Sequence, residues 1–392
     1  MIFDIFHKIK KVLFLSKISH LRMKLTYFIS LLFFSFLVSS CSEDSVVEPV
    51  ILPSNMVIGI EYLGDGVVKA SFTAEKAVFY KVNFGTPGES LTRVDGNSAT
   101  KTFTTKGDFT LQVQAHTTEK DFIEGTQVIR MNVAALGLDP NSGYVSPTSY
   151  DEYNLVWADE FSGSELSPEW NFELGDGCPV TCGWGSEELQ YYKKENATLV
   201  NGNLVITAKK EIVGTNNYTS TRMTTQGKEF FTFGRVDIRA KFPKGKGFGP
   251  ALWMMGENLP EVGWPKAGAI VIAGMVGGSS DKGDATVNGT SYWDNLDKEE
   301  FSRGKTVLPF GILNDEFHVF SIIWDAQKIV WLKNGVQYHS LDITPSKMDE
   351  FQKPFFFIFN LSVGGRTLGV PDEGSVFPQQ TSIDYIRVFQ KK

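Results

Sequence analysis

The chain has 392 residues, which leaves room for two or three domains. Its 42% hydrophobic and 13% aromatic content suits globular domains with large cores, and 37 glycines beside 21% charged residues fit a turn-rich β protein better than a helical one. A formal net charge of -7 argues against nucleic acid as a partner, 5 histidines without H-x-x-H spacing argue against zinc, and 3 cysteines do not make a disulfide scaffold.

The N-terminus reads as an address. Met23-Lys24 is followed by an apolar run from Leu25 to Val38, the length of a signal-peptide core rather than of a membrane span. Val38-Ser39-Ser40-Cys41 resembles a bacterial lipobox, which implies a signal region over 1–41 and a lipid on Cys41. Ser42-Glu43-Asp44 resembles the acidic export signal of Bacteroidota surface lipoproteins. Residues 42–53, with Pro49 and Pro53, are expected to form an extended tether.

Residues 54–134 carry short alternating stretches. Val67, Ala70 and Phe72 open them, and Val78 to Phe84 follow, ending at the turn Gly85-Thr86-Pro87-Gly88. Phe109, Leu111, Val113 and Ala115 alternate with Thr110, Gln112 and Gln114, the pattern of a half-buried strand, and Val128, Ile129 and Met131 mark the last. The spacing predicts a small β-sandwich. With Asn83-Phe84-Gly85 at its aromatic-Gly turn, it resembles a PKD-type immunoglobulin-like module, for which a spacer role is the expectation. Residues 135–152, with Pro140, Asn141, Gly143 and Pro147, read as a linker.

From 153 to 392 the motifs are specific. They include Leu155-Val156-Trp157-Ala158-Asp159-Glu160-Phe161, Gly183-Trp184-Gly185 before Glu188-Leu189-Gln190-Tyr191-Tyr192, Phe233-Gly234-Arg235-Val236-Asp237-Ile238-Arg239 and Ile383-Asp384-Tyr385-Ile386-Arg387-Val388. At their centre stands Gly263-Trp264-Pro265-Lys266-Ala267-Gly268-Ala269-Ile270-Val271-Ile272-Ala273-Gly274-Met275-Val276-Gly277-Gly278. The whole stretch resembles glycoside hydrolase family 16, the laminarinase-like β-glucanases, which implies an all-β chain: an immunoglobulin-like sandwich followed by a concanavalin-like β-jelly-roll with a ligand-binding face.

That family's catalytic strand carries Glu-x-Asp-x-x-Glu, and here the matching positions are Ala269, Val271 and Gly274. Strand alternation puts 269 and 271 on one face, and only a β-bulge returns 274 to it. Retaining glycosidases need two carboxyl groups about 5–5.5 Å apart, and these three residues supply none. Other positions depart as well. Gly249 stands where the family has a tryptophan, Asn288 and Tyr292 where it has histidines, and Gly364-Gly365-Arg366-Thr367-Leu368 lacks its loop tryptophan.

The resemblance also assigns binding residues. Trp264 and Trp253 offer flat faces for pyranose rings, Arg222 and Asn196 can hydrogen-bond hydroxyls, Asn288 and Tyr292 keep polar tips, and Trp184 shapes a wall. Trp157, Trp324 and Trp331 are expected in the core. Glu160, the Gly202 carbonyl and Asp384 match the family's structural calcium site, with hard oxygen ligands. Cys178 and Cys182 are close enough to close a small loop in an oxidising exterior.

The expectation is a non-catalytic surface glycan-binding lipoprotein of the outer membrane. It would capture β-1,3-glucan (laminarin) or mixed-linkage β-glucan for an uptake complex. Two rivals stand beside it: an active β-glucanase using displaced carboxylates, with Glu187, Glu188, Asp281 and Asp284 nearest in sequence, and a structural or adhesion lipoprotein without a sugar ligand.

Overall fold

The computed structural model describes residues 50–139, 141–280 and 282–392; Cys41 and the lipobox, Pro140 and Asp281 lie outside them. The described chain is all-β. Strands Ser54–Gly64, Val67–Glu75 and Ser98–Thr102 form one antiparallel sheet in that order. Strands Thr92–Val94, Phe79–Asn83, Gly107–His116 and Phe122–Met131 form a second. Val68, Ala70 and Phe72 alternate with exposed Lys69, Ser71 and Thr73, and share one core with Val82, Leu111, Val113, Ala115 and Ile129. The first strand is Ser54–Gly64, ahead of the expected opening at Val67. It is largely exposed, so its apolar alternation is weak, and only Met56, Ile58 and Ile60 pack on the core.

Two eight-stranded sheets make up the rest. The back sheet runs Ala197–Val200, Asn203–Ala208, Gln379–Lys391, Gly234–Lys241, His318–Trp324, Lys328–Lys333, Val336–Asp342, with Tyr153–Asp159 also paired to Gln379–Lys391. The front sheet runs Glu299–Val307, Thr286–Asp294, Ala269–Gly274, Phe248–Gly256, Phe355–Val363, Arg222–Thr224, Asn171–Glu173, with Phe230–Phe231 on Phe355–Val363. This is the expected jelly-roll. Strand Phe355–Val363 shows why the front sheet has two apolar faces. Phe355, Phe357, Phe359, Leu361 and Val363 enter the core between the sheets, while Phe356 and Ile358 turn outward under Trp253, Met255 and Ala267. Trp324 and Trp331 are buried and Trp157 packs against the same core, as expected.

Residues 51–392 form one compact unit. Within it Lys106 pairs with Glu316, Asn132 donates to Asp315 at 3.0 Å, and Gly143 bridges to Phe317.

Candidate functional site

The site strand Ala269–Gly274 contains the expected bulge. Leu252 pairs with Ala273 and Trp253 with Val271, so Ile272 has no partner opposite it. The same irregularity falls between Val271 and Gly274 on the other side. The extra residue returns Gly274 to the face of Val271, and both are partly exposed there while Ile270, Ile272 and Ala273 face the core. The bulge carbonyls are met from the back sheet: the Trp331 indole donates to the Val271 carbonyl at 2.9 Å, and the Tyr338 hydroxyl to that of Ile272 at 3.5 Å.

Register then lays out the outer face. One row crosses six strands as Asn288, Gly274, Ala251, Asn360, Arg222 and Glu173. At about 4.8 Å between neighbouring strands, the row spans roughly 24 Å. A second row runs Thr290, Val271, Trp253, Ile358, Thr224 and Asn171. Cross-strand partners share a face, so the site strand contributes only small or apolar side chains to a surface whose polar groups come from its neighbours.

Those polar groups form a connected set. Arg222 is ion-paired with Glu173, and its guanidinium lies 4.8 Å from the Trp184 ring and 5.1 Å from the Trp253 ring. The Trp253 indole donates to Asn360 Oδ1 at 2.8 Å, and Asn360 Nδ2 donates to the Tyr192 hydroxyl at 3.2 Å. Tyr192 in turn donates to Glu188 Oε2 at 3.0 Å, which also accepts from Gln190 Nε2 at 2.8 Å. Burial pushes the Glu188 carboxyl above its ordinary range, against the opposing pull of its hydrogen bonds and of Arg222. Burial also raises the Tyr192 phenol, with the Glu188 charge adding to it.

At the other end of the face Trp264 is 44% exposed and donates to Glu299 at 3.0 Å. Its ring lies 5.8 Å from Tyr292, which lies 5.9 Å from Phe301, itself 57% exposed. Arg303 reaches over Phe301 and donates to the Tyr292 hydroxyl at 3.1 Å. Phe301 and Arg303 went unnoticed in the sequence. Their signal is alternation in Glu299–Val307, where an aromatic takes an outward position.

Six of the seven expected binding residues thus lie on this face: Trp264, Arg222, Trp253, Tyr292, Asn288 and Trp184. Asn196 does not. It is 1% exposed and its amide donates to the Thr207 carbonyl and the Thr219 hydroxyl, so it fastens strands together and is out of reach of a sugar. Cys178 and Cys182 are disulfide-bonded. Leu368 explains Gly249: a Cβ at 249 would stand 2.6 Å from a Leu368 methyl, so the loop occupies the space where a larger side chain would lie.

The expected calcium ligands lie on or beside neighbouring strands, but their carboxylates are already engaged. Glu160 accepts both Arg387 nitrogens, at 2.7 and 2.8 Å, and Asp384 pairs with Arg239 at 2.7 Å. Each carboxylate is committed to a guanidinium whose charge opposes a cation, so Glu160, Gly202 and Asp384 do not fit calcium. Chelator and added calcium should both leave the thermal midpoint unchanged; a calcium-dependent rise in a melting scan would contradict this arrangement.

Of the displaced carboxylates, Asp284 accepts from the Gly245 and Gly278 amides and holds a loop. Glu187 is exposed and paired with Arg366. Glu188 is the one set into the site.

A family model for glycosyl hydrolases family 16 matches residues 182–380, and the chain belongs to that family. It is 35% identical over 254 residues to a β-glucanase of Rhodothermus marinus, covering 61% of this chain and 85% of that one. It is 34% identical over 241 residues to the clotting factor G alpha subunit of Tachypleus tridentatus, of which it spans only 34%. Among solved structures, the laminarinase catalytic domain of Thermotoga maritima is 42% identical, with a TM-score of 0.57, covering 62% of this chain and all of that one.

These likenesses correct the expectation of a protein that holds glucan without acting on it: the β-glucanase and the laminarinase are named as enzymes. There is a physical reason for the correction. Ala269, Val271 and Gly274 empty one strand of carboxyls, but not the face, where Glu173 and Glu188 flank the same arginine.

Proposed function

We propose that the chain is a β-1,3-glucan hydrolase of the laminarinase class, working through the carboxyls beside Arg222 rather than through the site strand. The observation that carries this is Glu188, a carboxyl that burial pushes above its ordinary range and which is hydrogen-bonded to Tyr192 within the set that reaches Trp253. A raised carboxyl is what a general acid requires, and it would protonate the leaving glycosidic oxygen. Glu173, paired with Arg222, is the second carboxylate. The rings of Trp253 and Trp264 offer faces on which pyranose rings can lie.

The test is release of reducing ends from laminarin. The unaltered chain should release them, and Glu188→Gln should lower the rate about 10²-fold while laminarin binding, measured by calorimetry, is kept. No reducing ends from the unaltered chain would overturn the reading.

The same proposal takes Cys41 as the lipid attachment of an outer-membrane surface protein, the first sandwich as a PKD-like spacer, and an outer-membrane uptake complex as the recipient of the oligosaccharides. What supports it is the lipobox-like sequence and the acidic residues that follow.

A further inference from the structure

The strand Glu299–Val307 lies at the edge of the front sheet, and its outward side chains run Glu299, Phe301, Arg303, Lys305 and Val307. The inward positions pack on the sandwich, where a Cβ at Gly304 would meet His339. Register carries both cations onto the same face as the site strand. Arg303 stands opposite Thr290, followed by Val271 and Trp253; Lys305 stands opposite Asn288, followed by Gly274 and Ala251.

These two cations have no carboxylate of their own. Arg303 spends two of its five N–H groups on neutral oxygens, the Thr290 hydroxyl at 3.2 Å and the Tyr292 hydroxyl at 3.1 Å. Those bonds, with the Phe301 ring 5.3 Å away, fix the guanidinium on the surface. Neither Arg303 nor Lys305 is in an ion pair among the described residues. The carboxylates nearest in sequence are engaged elsewhere: Glu299 accepts from Trp264, Asp297 holds Lys266, and Glu300, on the inward side, holds Lys347. The two rows that start at Arg303 and Lys305 meet one carboxylate, Glu173, six strand spacings or about 29 Å away and itself paired with Arg222. Carboxyls at 269, 271 and 274 would balance the two cations; Ala269, Val271 and Gly274 do not.

Unbalanced positive charge beside exposed rings selects a ligand that has both a sugar face and an anion. We propose that this end of the face takes a β-glucan bearing an oxyanionic substituent, a sulfate ester or a carboxylate. The pyranose lies on Trp264 and Phe301, and the substituent accepts from the unspent Arg303 N–H groups. The Lys305 ammonium adds charge about 7 Å further along the strand. The inference rests on the reading of this face as a β-glucan site and names a substrate class for it.

Calorimetry of the full chain with laminarin, laminarin sulfate and carboxymethyl laminarin at one ionic strength tests it, with dextran sulfate as an α-linked polyanion. At least one substituted laminarin should bind about tenfold tighter than laminarin, the joint worth of two exposed charge pairs, and dextran sulfate should not share that gain. Lys305→Met and Arg303→Gln should each cut the preference about threefold. The quantity read is the ratio of affinities, so a general weakening of the site does not mimic the effect. A ratio near one in the unaltered chain, dextran sulfate bound as tightly as the substituted laminarins, or a ratio unchanged in both variants would overturn the inference. Reducing ends from laminarin with a ratio near one would leave the hydrolase reading standing without it; a high ratio with no reducing ends from any laminarin would do the reverse.

Discussion

Carboxyls installed together by Ala269→Glu, Val271→Asp and Gly274→Glu should raise laminarin hydrolysis by about 10²–10⁴-fold over the unaltered chain, the usual worth of positioned acid–base groups. The backbone is already built for them. The bulge at Ile272 turns 271 and 274 to one face, and the Trp331 and Tyr338 donors hold it in that form. A Cβ at 274 would meet only the Val271 Cγ1, at 3.3 Å, and the Pro250 carbonyl, at 3.8 Å, and Val271 is itself replaced in the triple variant. Position 269 is harder. Ala269 is 1% exposed between Tyr292 and Met255, so a glutamate there must displace neighbours to reach the face. For that reason Gly274→Glu alone should give little gain: an acid without its nucleophile leaves the second carboxyl missing. Reducing-end release, with melting scans to show that each variant folds, reads the result. A folded triple variant no faster than the unaltered chain would mean that Leu368, over Gly249, bars the glucan from this part of the face.

Much of this geometry was legible in the sequence because it follows from spacing. Positions 269, 271 and 274 can share a face only through a bulge, and the strand contains that bulge. Trp253, Arg222 and Asn288 fall on the outer face because strand alternation leaves them nowhere else. What failed depends on contacts between distant residues. Asn196 is as polar as Asn288, and only the Thr207 carbonyl and Thr219 hydroxyl beneath it decide that it points inward. Glu160 and Asp384 read as hard ligands until Arg387 and Arg239 are seen against them. The expectation of lost catalysis came from one strand, whereas Glu173 and Glu188 reach the face from the strand Asn171–Glu173 and from the loop before Gln190–Tyr192. The exchange at Gly249 looks like a simple loss until Leu368, more than a hundred residues later, fills the same space.

Trp331→Ala should lower the stability of the jelly-roll by about 3–5 kcal/mol, the range for removing a large buried aromatic. Trp331 is 0% exposed, and its ring presses on the strand opposite so closely that a Cβ at Gly289 would stand 2.4 Å from its Cδ1. The cost has two parts. Most is the cavity and the lost transfer of the ring from water; the rest is the Val271 carbonyl, which loses its donor inside the sandwich. Trp331→Phe shifts the balance between them, since it keeps much of the bulk while losing the indole N–H together with part of the ring, and should cost about 1–3 kcal/mol. The two variants should also differ from an ordinary core deletion in their effect on the site. The bulge carbonyl belongs to Val271, which lies on the proposed glucan face, so laminarin affinity should fall in both variants at temperatures where they are folded. In Phe351→Ala, which empties the same core away from the bulge, affinity should hold. Denaturant titration gives the stabilities and calorimetry the affinities. If Trp331→Phe bound laminarin as the unaltered chain does, the indole would be a packing group only, and the bulge would be held by the strand pairing around it.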